Sequence, residues 1–235
     1  MRIDARSVRG DYLSTDEIVI TKDPNIARAC LADHIPVIGV CEDEAYSIWE
    51  GVPYLTDQIE VSDAYKTLVI ARCKGFPWTA LTTEHCVLRE TLDEDLPVLY
   101  HIYEDKEIQR FVEPLYPYEE ELAYQRDYRE NVYKLFGYGM WTVLDKETLR
   151  VIGRAGLDPK GDYAELGYLL AKEERGKGLA TELCLAILSY AKEELPDMPI
   201  RASVHEENVA SIRLLKKIGF RQTPERMGEN QIFIL

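Results

Sequence analysis

The residues best suited to chemistry lie in one turn of the second half of the chain. Leu170-Ala171-Lys172-Glu173-Glu174-Arg175-Gly176-Lys177-Gly178-Leu179-Ala180-Thr181 joins a strand-like apolar segment to a helical pattern. A helix start leaves backbone N–H groups unpaired and carries the positive end of the helix dipole, and glycines let a backbone approach a pyrophosphate closely. The turn is therefore able to cradle an anion, although tight packing can also select glycine in such a place.

Neighbouring segments narrow the reading. Arg175-x-x-Gly178-x-Ala180 follows Glu165-Leu166-Gly167-Tyr168 and precedes Asn208-x-x-Ser211-Ile212-Arg213-Leu214-Leu215-x-Lys217-x-Gly219-Phe220. In order and spacing these motifs resemble the signature of the GNAT superfamily of N-acetyltransferases, with the ribosomal-protein alanine N-acetyltransferase-like branch as the nearest flavour. The resemblance implies acetyl-CoA as co-substrate, no metal, and a primary amine as acceptor. It also implies that main-chain groups of Arg175, Gly176, Lys177, Gly178, Leu179 and Ala180, with the Thr181 hydroxyl, hold the pyrophosphate. Tyr168 and Leu170 would lay main-chain groups along the pantetheine arm, Asn208 would contact that arm, and Leu170 N–H would face the thioester oxygen.

The reaction asks for two further groups. An alkyl amine with a pKa of about 10 is mostly protonated at neutral pH, so a base must take a proton before the nitrogen attacks. Glu165 is the candidate: strand alternation puts it on the face of Gly167 and Leu169, opposite Leu166, Tyr168 and Leu170. An exposed strand carboxylate, or the partner of a basic side chain, is the other reading of that residue. Many members of the superfamily carry a tyrosine that protonates the leaving thiolate, and Leu215 occupies its position. Ser211 is the remaining candidate donor, and helix capping or packing is its alternative role. That departure keeps open a second function, an acetyl-CoA-binding sensor or assembly module without turnover.

The segment Glu113–Glu130 is acidic and rich in tyrosine. Glu119, Glu120, Tyr124 and Tyr128 could hold a cationic acceptor by charge and cation–π contact, or form a solvated acidic helix.

These groups need a scaffold. Over residues 83–235 the hydrophobic periodicity predicts a strand at 85–90, helices near 93–103 and 122–135, and a hairpin of 139–144 with 151–157. Strand 164–170, helix 179–195, strand 200–204, helix 209–218 and strand 231–235 complete a mixed α/β (α+β) sheet flanked by helices. Residues 1–82 read as a separate small β-α-β domain. In it, strands 17–20 and 35–40 flank a helix opened by Asp23 and Pro24, and helices follow near 42–49 and 62–72. Residues 18–78 weakly resemble the trailing part of a haloacid-dehalogenase-like domain. The nucleophile motif of that family is missing, as are a glycine-rich phosphate loop and a Gly-x-Gly-x-x-Gly turn. A noncatalytic accessory role follows, with homodimer formation or ligand sensing as its candidate tasks.

Composition sets the outer limits. A net charge of −14 on 235 residues repels nucleic acid and anionic membranes. Five scattered cysteines and four histidines form no metal-ligand spacing and no disulfide framework. The opening residues lack a signal-peptide core and no apolar run spans a bilayer, so a cytoplasmic protein is expected.

Overall fold

The computed structural model describes residues 18–41, 46–57 and 59–235. The chain divides into two compact units, Met1–Thr79 and Ala80–Leu235.

The described part of the first unit is a three-stranded parallel sheet, β1 (Val19–Thr21), β2 (Val37–Val40) and β3 (Leu55–Thr56), with β2 in the middle. Helix α1 (Pro24–Ala32) starts as expected, with Asp23 accepting from Asn25 N–H at 2.8 Å and proline at the first position. Helix α2 (Asp63–Cys73) is capped by Ser62, which accepts from Tyr65 N–H at 3.3 Å. Strand β2 is buried throughout: Val37 packs with Ala27 of α1 and Trp49, and Ile38 with Val69 of α2 and Tyr54. Of the helix expected over 42–49, residues 42–45 lie outside the described residues, as does Glu17 of the first strand. Tyr46–Trp49 is a short 3₁₀ turn.

The second unit is built on an eight-stranded sheet. Its strands are β4 (Thr79–Thr82), β5 (Cys86–Arg89), β6 (Met140–Asp145), β7 (Val151–Pro159), β8 (Ala164–Leu170), β9 (Ile200–His205), β10 (Arg221–Met227) and β11 (Asn230–Ile234). Their order is β10-β11-β9-β8-β7-β6-β5-β4. The helices are α3 (Leu96–Tyr103), α4 (Lys106–Gln109), α5 (Tyr118–Tyr128), α6 (Lys134–Phe136), α7 (Leu179–Glu194) and α8 (Val209–Lys217), with a π turn at Arg129–Tyr133 between α5 and α6. Leu183, Cys184 and Ile187 of α7 pack with Ala155, Leu157 and Leu166 on one sheet face, and α3 packs with Leu169 on the other.

Strand β10 was not foreseen. Its residues are mostly exposed and include Pro224, which suits the outermost strand of a sheet and leaves no alternating apolar pattern to read. Helix α4 is a single turn, too short to show a period.

Two features of this sheet set up the site. All its characterised strand pairs are antiparallel except β8 with β9, and that parallel pair runs only over Ala164↔Ile200 and Glu165↔Arg201. Beyond Glu165 the two strands part, although β9 stays paired with β11 as far as His205. The entry to α3 is locked by Arg89, whose guanidinium grips Asp95 with two bonds of 2.6 and 2.7 Å, both side chains being buried.

Candidate active site

The gap between β8 and β9 determines which backbone groups are available. Ala164 N–H points to β9, bonding Pro199 O at 2.9 Å, and Ala171 N–H points to β7, bonding Ile152 O at 2.8 Å. Alternation between these two anchors turns the main-chain groups of Leu166, Tyr168 and Leu170 toward the side that β9 has vacated. Leu170 O is held there by Arg175 Nε at 3.1 Å, and Arg175 also reaches Asp105 at 3.3 Å. The arginine thus ties the glycine turn to the end of the strand.

In that turn Gly176 and Gly178 have φ of +75° and +88°, and a Cβ on either would meet nothing within 4 Å. Left-handed backbone, not crowding, explains these glycines. Gly178 opens α7 without a side-chain cap. The first N–H groups of the helix with a partner belong to Thr181 and Glu182, both bonded to Gly178 O. Among the described residues none accepts from the N–H groups of Gly176 to Ala180. Open space, left-handed glycines and unpaired donors at a sixteen-residue helix fit a pyrophosphate.

A cleft of about 400 Å³ joins the turn to the strand gap. Of the predicted residues, Tyr168, Leu170, Arg175, Gly176, Gly178, Ala180, Thr181, Asn208 and Ser211 line it. Lys177 and Leu179 do not: Lys177 pairs with Glu174 at 2.8 Å, and the Leu179 side chain is in the core. Ile108 and Phe111, from α4 and the residues after it, close the other wall and were not anticipated. Asn208 caps α8, accepting from Ser211 N–H at 3.1 Å, which leaves its amide N–H groups for a ligand. So the Ser211 backbone, not its hydroxyl, takes part in the cap. Leu215 is 1% exposed and belongs to the core.

Glu165 lies where β8 and β9 separate and is not among the residues that line the cleft. It is directly opposite Asp158 across the β7–β8 ladder, a like-charged pair that Lys160 relieves with a 2.7 Å bridge to Asp158. Burial pushes the Glu165 carboxyl above the usual carboxylate range, Lys160 opposes this, and Asp158 adds to it. Asp158 also accepts from Tyr128 O–H at 3.0 Å. Asp158 could not be singled out from sequence, because its importance depends on strand register.

The acceptor candidates separate. Glu119 and Glu120 are exposed in the first turn of α5, where they complement the helix dipole, and they lie apart from the cleft lining. Glu121 is the buried member of that run, accepting from Gln125 Nε2 at 2.7 Å and Tyr116 N–H at 3.2 Å. Tyr128 is buried and bonded to Asp158, whereas Tyr124 is 42% exposed and stacks obliquely on Tyr116 and Tyr128. Arg154 is a further unforeseen feature. It shares a cross-strand row with Thr142 and Arg89 and is 7% exposed, yet its Nε has no hydrogen-bond partner.

Residues 85–221 match the acetyltransferase (GNAT) domain family, and the chain belongs to it. Among relatives, the uncharacterized N-acetyltransferase p20 of Bacillus licheniformis is 31% identical over 60% of this chain and 82% of its own length. The uncharacterized N-acetyltransferase YoaA of Bacillus subtilis is 28% identical over the same shares. An acetyltransferase structure from Agrobacterium tumefaciens superposes with a TM-score of 0.58 at 24% identity, covering 66% of this chain and 92% of that one. RimL, a ribosomal-protein acetyltransferase solved with coenzyme A, gives 0.56 at 14% identity, covering 67% and 97%. The family match begins at residue 85 and bears neither on the first unit nor on its haloacid-dehalogenase resemblance.

The chain is thus an N-acetyltransferase that uses acetyl-CoA. Among the described residues no group of side chains could hold a metal ion, and no helix is long and apolar enough to cross a membrane.

Proposed function

We propose that the cleft takes acetyl-CoA along β8 and passes its acetyl group to a primary amine that arrives from the side of Asp158, Glu165 and Tyr124. The observation that carries this reading is the parting of β9 from β8 just beyond Glu165, with the end of β8 and the glycine turn lining one cleft. When bound, acetyl-CoA supplies an activated thioester. The N–H groups of Gly176 to Ala180 hold its pyrophosphate, the main chain of Tyr168 and Leu170 follows its arm, and Asn208 adds a side-chain contact. Leu170 N–H is the donor assigned to the thioester oxygen.

Glu165 takes the proton from the ammonium form of the acceptor. Its burial, which raises the carboxyl pKa, makes it a stronger base than an ordinary glutamate. The neutral nitrogen then bonds to the acetyl carbon as the C–S bond breaks and its electron pair goes to sulfur. The second proton on nitrogen passes to solvent, and Ser211 O–H donates a hydrogen bond to the sulfur that leaves. Tyr124, at the exposed end of the tyrosine cluster, offers an aromatic face to a cationic acceptor.

The buried Cys30, Cys41, Cys86 and Cys184 are free thiols, which supports a reducing cytoplasmic setting. RimL acts on a ribosomal protein, so protein α-amines belong in an acceptor screen beside small polyamines. The test is thiol release from acetyl-CoA with such a panel. Turnover dependent on one class of amine supports the reading, and tight acetyl-CoA binding with no turnover of any amine would favour a sensor.

A further inference from the structure

One polar atom beside the cleft lacks any partner. Tyr168 lines the cleft, but its Oη is buried, has less than 1 Å² accessible, and finds no hydrogen-bond partner within 3.5 Å. A buried hydroxyl without a partner is uncommon. Because Oη is closed off, the hydroxyl itself has no direct reach to a ligand in the cleft. Burial pushes its pKa up to about 12, so it stays a donor throughout the working range.

Two polar groups act on it electrostatically. The Cys184 thiol on α7 is itself buried in the core, with its pKa pushed up to about 12 by desolvation, and sulfur is a weak acceptor. The Ser211 hydroxyl on α8 is the other, and it already eases ionisation of the phenol. Ser211 lines the same cleft and its hydroxyl is not consumed by the helix cap. A serine rotamer change is a small motion that can complete the bond. Once Tyr168 O–H occupies a lone pair of Ser211 Oγ, the serine proton is left to point into the cleft.

We propose that Tyr168 is a positioning residue that acts through Ser211: the phenol donates to Ser211 Oγ and so orients the serine O–H toward the departing thiolate sulfur. This rests on the acetyltransferase reading above. As the C–S bond breaks, the electron pair goes to sulfur, Ser211 O–H supplies the hydrogen bond that stabilises it, and solvent supplies the final proton. A thiol pKa of about 8.5 means that orientation, not outright proton transfer, is what the pair has to provide.

The experiment is a double-mutant cycle on the full chain with acetyl-CoA and whichever amine turns over. Tyr168→Phe is expected to lower kcat about tenfold with the KM for acetyl-CoA unchanged and the thermal midpoint retained. Ser211→Ala should lower kcat at least as much, and the double variant should be no slower than Ser211→Ala alone. Additive losses, an unaffected Tyr168→Phe enzyme, or a loss confined to KM would each overturn the proposal. Cys184→Ala should leave the Tyr168→Phe effect intact, and its disappearance in that background would move the role from the serine to the thiol and refute the pairing with Ser211. Failure of the wild type to bind acetyl-CoA would instead remove the acetyltransferase reading, and this inference with it.

Discussion

Glu165 experiences two opposing demands, since its burial and the facing Asp158 disfavour the charge that the reaction needs. Its pKa is raised in the folded state, so the unfolded chain ionises more readily and stability falls as pH rises through that interval. Glu165→Gln should therefore raise the thermal midpoint at neutral pH while lowering kcat about 10²–10⁴-fold. Calorimetry and steady-state rates on one preparation check both signs. In the wild type, kcat should decline on acidification at a pH above the ordinary glutamate range. Glu165 could be proposed from sequence because the resemblance points to its strand and alternation fixes its face. Asp158 and Arg154 could not, because their neighbours depend on the pairing of β7 with β8 on one side and with β6 on the other. Glu119 and Glu120 belong to an acidic run whose inward-turning member is Glu121, which only three-dimensional packing selects.

Elements were legible where they were long and periodic. Strand β8, the glycine turn and helix α7 follow from apolar runs and from Gly178, and α8 from its asparagine cap. The elements that escaped are those whose local signal is weak: edge strands β10 and β4, two-residue β3, and α4, whose wall of the cleft is formed by Ile108. The helix pattern of α5 runs on into a π turn that side-chain spacing does not announce. The α3 entry offers a stability prediction. Asp95→Ala leaves Arg89 buried and uncompensated, which should cost about 3–5 kcal/mol of stability by denaturant unfolding. A loss below about 1 kcal/mol would mean that water reaches the guanidinium.

Across the whole molecule, each unit has its own apolar clusters. Ala27, Val37 and Trp49, with Ile38 and Val69, serve the first, and the cores on the two faces of the eight-stranded sheet serve the second. A chain of residues 79–235, which keeps strand β4, should thus bind acetyl-CoA with an affinity within about threefold of the full chain. A larger loss would make the first unit part of the catalytic apparatus instead of an accessory. The two-part organisation is readable from the change in pattern near Gly75-Phe76-Pro77-Trp78, whereas no chemical motif in the first part identifies its task.

Cofactor binding depends most directly on the glycine turn, and one calorimetric titration with acetyl-CoA tests it. Gly178→Glu places a carboxylate at the start of α7, and Gly161→Glu imposes a comparable left-handed penalty in the β7–β8 turn, where φ is +76° and nothing lies within 4 Å. The prediction is that the wild type and Gly161→Glu bind alike while Gly178→Glu loses binding at least 100-fold, with circular dichroism unchanged in all three. Equal binding by Gly178→Glu, or no binding by the wild type with its fold intact, would contradict the assignment of this cleft to acetyl-CoA.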